Sequence, residues 1–213
     1  MIGASANNAL GIVGIAPEAS LELFVSCWSE DGSDSAVCDS FTLAKALDDL
    51  LENPPDVLNL SLNGPDDALI KRLIEKTVDA SVIVVAAGAA NSNSSNRFPA
   101  NLDQVIGVST SEQHLLASNT MVPHSEDLND IYAPGHQIMV AIPNNAYDFR
   151  SGSSLAAAHV SGVIALLLAN APEMTFKSVL EILQASQATA KTDSTSVNAC
   201  VALSLADIAM DCM

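Results

Sequence analysis

Short β-branched runs alternate with longer helix-patterned segments along this chain, and one run, SVIVVAA at 81–87, is apolar at nearly every position. A strand covered on both faces reads this way, because helices flank each side of a parallel sheet. LELFVS (21–26) predicts a first strand, after which Ser40 is placed to cap a helix from Phe41 to about Glu52, stopped by Asn53, Pro54 and Pro55. DVLNLSL (56–62) reads as a second strand and residues 66–79 as a helix with Lys71, Arg72, Glu75 and Lys76 on its polar face. QVIGVST (104–110) is a further strand, and 138–142 a short one. The expected class is therefore α/β, with a three-layer arrangement of parallel sheet between helices.

The last third differs. Residues 152–170 predict a helix apolar on nearly every side, which belongs in the interior. Pro172 ends it, Thr175 caps an amphipathic helix to about Ser186, and the polar linker ATAKTDSTSVN leads to a final helix near 199–209. Its most apolar stretch, 160–169, is shorter than the roughly 18 residues of a membrane span. The opening MIGASANNAL has neither the basic start nor the apolar run of a signal peptide.

With 25 acidic and 8 basic residues among 213, the net charge is −17. A phosphate backbone selects a basic face, and an anionic membrane repels an acidic one, so neither nucleic acid nor membrane is an expected partner. Charged residues are only 15% of the chain and hydrophobic ones 49%, so an acidic skin surrounds a large core. The sequence leaves the oligomeric state open.

Cys27, Cys38, Cys200 and Cys212 form two sequence-local pairs without C-x-x-C spacing, so no metal site is expected from them. Cys27 and Cys38 enclose a polar loop suited to a short disulfide, which would imply an oxidising compartment. Four reduced thiols acting as small hydrophobes are the alternative.

Chemistry concentrates in SGSSLAAAHVSG (151–162). Ser154 falls at the start of the apolar helix, where free N–H groups and the helix dipole favour a developing negative charge. A serine there is ordinarily an N-cap, and the motif alone is weak.

The block is similar to the serine motif of the subtilisin-like serine proteases, and further segments resemble that family in order. These are GIVGIAPEASL (11–21), DVLNLSLNGP (56–65), VIVVAAG (82–88), FPA (98–100) and YAPG (132–135). The resemblance implies a subtilisin-like fold and acyl transfer from a peptide or protein substrate to Ser154. It implies that Ser61, Leu62 and Asn63 line the substrate cleft, with Ala86, Ala87 and Gly88 on the opposite wall. His159 matches a buried structural histidine rather than the base.

The family's Asp-Thr/Ser-Gly and His-Gly-Thr motifs do not occur in the sequence. His114, His124 and His136 lie in other segments and read as loop histidines. The alignment expects residues 1–213 to be a single peptidase domain incomplete at its N-terminus and lacking its first strands, with about 187–213 as linker and short helix. The absent Asp strand belongs between the strands at 21–26 and 56–62, which must then pair directly or leave a gap. Where the family has an oxyanion Asn, the chain has Ala89. Losing that donor costs about 10²–10³ in kcat, a magnitude that belongs to the family's own example rather than to this chain.

ASANNALGI (4–12) resembles a calcium loop of some members, but Asn7 and Asn8 read as turn residues first, and no cofactor is expected. Two functions follow: a serine endopeptidase inactive as this chain stands, or a noncatalytic pseudoprotease that binds extended peptides or a partner. Family and cysteine pair imply an extracellular or periplasmic location.

Overall fold

The computed structural model describes residues 1–29, 36–88, 97–111, 129–188 and 196–208. Its centre is a four-stranded parallel sheet in the order β3-β4-β5-β6, formed by Val57–Leu60, Ile83–Ala87, Val105–Thr110 and Asp130–Ala133. Period-2 alternation divides β4 between two cores. Ile83, Val85 and Ala87 face one side, with Val84 and Ala86 on the other.

Against the second face pack helices α1 (Ser40–Leu50) and α2 (Ala68–Asp79), through Leu47, Leu50, Ile70 and Ile74. Against the first lie α3 (Ser153–Asn170), α4 (Phe176–Ala188) and α5 (Ala199–Leu205), contributing Val160, Ile164, Leu167, Leu183 and Leu203. The expected helix-flanked parallel sheet is present. Helix α3 crosses β3, β4, β5 and β6, which explains its lack of a polar stripe. At 18 residues it has the length and composition to cross a membrane, beyond the 160–169 run alone. Its buried residues are instead part of the core under the sheet.

One expected strand is corrected. Among the described residues, 21–26 pair with nothing in a ladder; pairing begins at β1 (Cys27–Ser29), antiparallel to β2 (Ala36–Cys38). β-branched and apolar residues favour extended backbone, but a strand needs a neighbour, and β3 stands at the sheet edge without one among the described residues. Direct pairing of 21–26 with 56–62 does not occur. A gap does.

Helix starts also shift. Asp39, not Ser40, caps α1, its carboxylate accepting from Phe41 and Thr42 N–H, and Asp67 caps α2 through Leu69 and Ile70. Residues 130–133 form a further sheet strand, and β7 (Ile138–Ile142) forms a hairpin with β8 (Ala146–Arg150). Helix α5 ends at Leu205, short of the expected 209, capped by Asn198.

Cys27 and Cys38 form the expected disulfide across the β1–β2 hairpin. Cys200 is also disulfide-bonded, and Cys212 lies outside the described residues. At the N-terminus, Gly14, Ile15 and Ala16 donate back to Ala4, Met1 and Ile2 carbonyls, closing a loop in which Asn8 Oδ1 accepts from Leu10 N–H at 2.9 Å. Asn7 has a positive φ of 58°, so both asparagines occupy a turn.

Candidate active site

The hairpin β7–β8 delivers the chain to α3 through Ser151 and Gly152. Gly152 N–H donates to Gly135 O at 2.8 Å, fixing this turn against the end of β6. A side chain on Gly135 would meet Thr110 and come within 2.9 Å of Gly152 O, so only glycine permits the approach. Ser153 is buried as the first helical residue, and Ser154, the second, is exposed. Early N–H groups of a helix have no internal partner, and that of Ser154 is open among the described residues.

Ser154 meets β3's end through two contacts. Its Oγ donates to Ser61 O at 3.2 Å, and Ser61 Oγ donates to Ser154 O at 3.0 Å. Behind them, Asn59 Nδ2 donates to Ser61 Oγ at 2.9 Å, and Ser161 Oγ donates to Asn59 Oδ1 at 3.0 Å. Ser161 is buried, seven residues beyond Ser154 and so on the same side of α3 after about two turns. Sequence reasoning missed Asn59 and Ser161. The available signal was a polar residue in each of two apolar runs, VLNL and HVSGVI.

Other expected site residues are distributed differently. Leu62 is half-buried against the α1–α2 core, while Asn63 is exposed. Ala86 and Ala87 point their methyl groups into opposite cores, so neither presents a side chain to a cleft. Gly88 N–H donates to Val108 O at 2.7 Å as the ladder's last rung. Ala89, His114 and His124 lie outside the described residues. His136 is exposed, its Nδ1 3.2 Å from Ser151 Oγ, which also accepts from Gln137 N–H. His159 is partly buried, and its Nδ1 donates to Leu155 O at 3.0 Å within α3, as expected of a structural histidine. No cluster of His, Cys, Asp or Glu with metal-holding geometry occurs among the described residues.

Beside the site, Gly64 N–H donates to Phe98 O at 2.9 Å, tying the segment after β3 to the one leading into β5. Next to Phe98, Arg97 Nη2 grips both carboxylate oxygens of Asp130 at 2.6 and 2.8 Å. Burial raises the Tyr132 phenol above its ordinary pKa, helped by the Asp130 charge and opposed by Arg97.

A serine hydroxyl at the N-terminus of a buried helix, facing the end of a parallel strand, coincides with a match of the subtilase family model to residues 1–201. The chain belongs to the subtilase family. Subtilases of this group are serine-type endopeptidases of family S8. Among similar proteins, Subtilisin E of Bacillus subtilis (strain 168) is 29% identical over 187 residues, covering 85% of this chain and 47% of that protein. The major intracellular serine protease of the same organism is 31% identical over 163 residues, covering 74% and 49%. The self-cleaved protease domain of PatA is similar in fold, with a TM-score of 0.72 at 23% identity over 94% of this chain and 79% of that one. This subtilase chain spans about half the length of the curated relatives it matches.

Proposed function

We propose that Ser154 is the acyl-accepting serine of a subtilisin-like endopeptidase acting on peptide or protein substrates, and that the chain as it stands does not hydrolyse them unaided. The observation that carries this reading is the paired contact between Ser61 and Ser154. It sets a hydroxyl at a helix N-terminus beside the end of a strand whose backbone is available to an extended peptide. The open N–H of Ser154 is then one donor to the tetrahedral oxyanion.

A serine hydroxyl is a weak nucleophile unless a base takes its proton. Here the Ser154 proton goes to the Ser61 carbonyl, which cannot act as that base. Ala89 supplies no side-chain donor where the family has Asn, a loss that in the family's own example lowers kcat by about 10²–10³. A fluorophosphonate probe and a peptide substrate test the reading together. The expectation is neither turnover nor labelling that disappears in Ser154→Ala; turnover by the isolated chain overturns the inactivity.

The second reading is a pseudoprotease that retains the cleft for binding, favoured by Ala89. Sequencing the gene directly upstream of the Met1 codon separates the two. In-frame Asp-Thr/Ser-Gly and His-Gly-Thr motifs, with Ser154-dependent hydrolysis by the longer product, support the enzyme; their absence supports the binding protein. The disulfides favour an oxidising location, extracellular or periplasmic. Mature protein recovered from the cytosol with reduced thiols would contradict that.

A further inference from the structure

The sequence holds a single Asn followed by Gly, at Asn63–Gly64. The fold places it between two anchored points: Ser61, tied to Ser154, and Gly64, whose N–H donates to Phe98 O at 2.9 Å. Asn63 itself is exposed, and neither its side-chain amide nor its backbone makes a hydrogen bond among the described residues. Other asparagines differ. Asn59 engages both amide atoms, with Ser61 and Ser161, and Asn170 Nδ2 donates to Leu166 O. An amide held in this way is kept from its neighbouring backbone, whereas the unbonded amide of Asn63 is free to fold back on the next residue.

Two atoms decide whether the fold permits a reaction there, Asn63 Cγ and Gly64 N. A side chain on the second residue would crowd their approach. Gly64 has none, and no atom lies within 4 Å of where its Cβ would be, so a ring closing at this point meets open space. The Gly64 N–H is engaged by Phe98 O, but that contact is an isolated bridge outside the ladders. One such hydrogen bond shifts an opening equilibrium by roughly two- to tenfold, which slows attack by Gly64 N without preventing it.

We propose that Asn63–Gly64 is a self-modification site, at which the folded chain converts Asn63 to aspartyl and isoaspartyl forms without an enzyme. Solvent base removes the Gly64 amide proton, Gly64 N bonds to Asn63 Cγ, and the Cγ–Nδ2 bond breaks as ammonia leaves, giving a succinimide. Water then opens the ring. Breaking the bond from Gly64 N to Cγ leaves an ordinary aspartyl residue; breaking the bond from Gly64 N to the backbone carbonyl carbon leaves an isoaspartyl link, with one more carbon in the main chain. Nothing is oxidised or reduced, and water is the co-reactant. Either product adds a negative charge to a chain already at −17. The isoaspartyl form also lengthens the backbone between the Ser61–Ser154 contact and the Gly64–Phe98 bridge, and so loosens the bridge. None of these steps uses the Ser154 hydroxyl, so the chemistry is independent of the role proposed for that residue.

Ageing the folded chain in mildly alkaline buffer made with heavy-oxygen water, followed by peptide mapping with fragmentation, tests the proposal. Label should enter at position 63 and not at 59 or 170, at a rate proportional to hydroxide, and the aged chain should become a substrate for an isoaspartyl methyltransferase. Gly64→Ala, whose methyl group has room in this fold, should slow uptake by roughly tenfold or more. Asn63→Gln, which alters no backbone geometry, should abolish it. Unfolding in urea should speed uptake by no more than roughly tenfold, the share owed to the bridge. In the purified isoaspartyl form the Gly64 amide should exchange faster than in the starting chain. Any of four results would overturn the proposal: no label at Asn63 in the folded chain while a Leu-Asn-Gly-Pro peptide reacts in the same buffer, equal uptake by Gly64→Ala, label entering at Asn59 as fast as at Asn63, or a Gly64 amide equally protected in the isoaspartyl form.

Discussion

Removing one partner of the Arg97–Asp130 pair should cost far more than the pair itself contributes. The carboxylate and guanidinium are 6% and 12% exposed, and their closest approach is 2.6 Å. At an effective dielectric of about 20 the attraction is about 6 kcal/mol, and the desolvation of two ions offsets it by several kcal/mol each. The net value is therefore small, but Arg97→Met takes from the buried carboxylate the guanidinium that reaches both its oxygens. The expected loss for Arg97→Met or Asp130→Leu alone is about 3–5 kcal/mol. For a chain of this size that is a fall in Tm of roughly 6–20 °C. The double variant should recover most of the loss, since no buried charge remains. Urea unfolding followed by circular dichroism measures all three. In Arg97→Met the Tyr132 phenol, already raised by burial and Asp130, should titrate higher still, because the opposing cation is gone. Single-variant losses below about 1 kcal/mol, or a double-variant loss equal to the sum of the singles, would refute a buried pair whose main cost lies in being broken.

Asn59→Ala should cost roughly 1–3 kcal/mol in the same assay, because it strands the buried Ser161 hydroxyl, whereas Ser161→Ala should cost about 1 kcal/mol. Gly135→Ala should destabilise by about 1–3 kcal/mol and speed exchange of the Gly152 amide, since the new methyl group displaces the turn entering α3. The Asp67 carboxyl is held below its ordinary pKa of 3.8, first by the Ser40 hydroxyl and then by the Ile70 N–H. A folded pKa below the unfolded one stabilises at pH above the unfolded value and is lost as pH falls through the folded one. The stability gap between wild type and Asp67→Asn should thus be constant near neutrality and close below about pH 4. Reducing the Cys27–Cys38 disulfide should release the β1–β2 hairpin at a cost of about 3 kcal/mol, read as fast exchange of residues 27–29 and 36–38, with the expected mass change under reductant.

Elements with extensive burial were readable from residue type. The run 82–87 is buried throughout, as its unbroken apolar sequence indicates, and the helix beginning at Ser153 has ten buried residues and no polar stripe. Segment 21–26 has the composition of a strand, but strand formation depends on a neighbour elsewhere in the chain, and local propensity carries no information about that neighbour. β6 and β8 failed for the opposite reason. DIYA and AYDFR are short and mix apolar with charged residues, and only their register against VIGVST and IMVAI makes them strands. Asp39 and Asp67 exceed their neighbours as caps because each carboxylate reaches two N–H groups, a geometric detail that composition does not distinguish from Ser40 or Asp66.

The site divides along the same line. The place of Ser154 at a helix start was legible from a local signature, the glycine turn followed by small residues, but the role given to it rested on the resemblance of several blocks in order. Its partnership with Ser61 joins positions 93 residues apart, and that of Asn59 with Ser161 joins positions 102 apart. Such pairs are created by the crossing of α3 over β3, not by any motif. Each member alone looks like a minor blemish in an apolar run, yet a buried hydroxyl on α3 and a strand amide are tolerable only if they meet. A polar residue that interrupts a core segment therefore implies a partner on whatever element packs against it. In a parallel α/β sheet the possible partners are few: here the helix that crosses four strands, and the strand at the sheet's open edge. The line from Ser161 through Asn59 and Ser61 to Ser154 follows from that crossing.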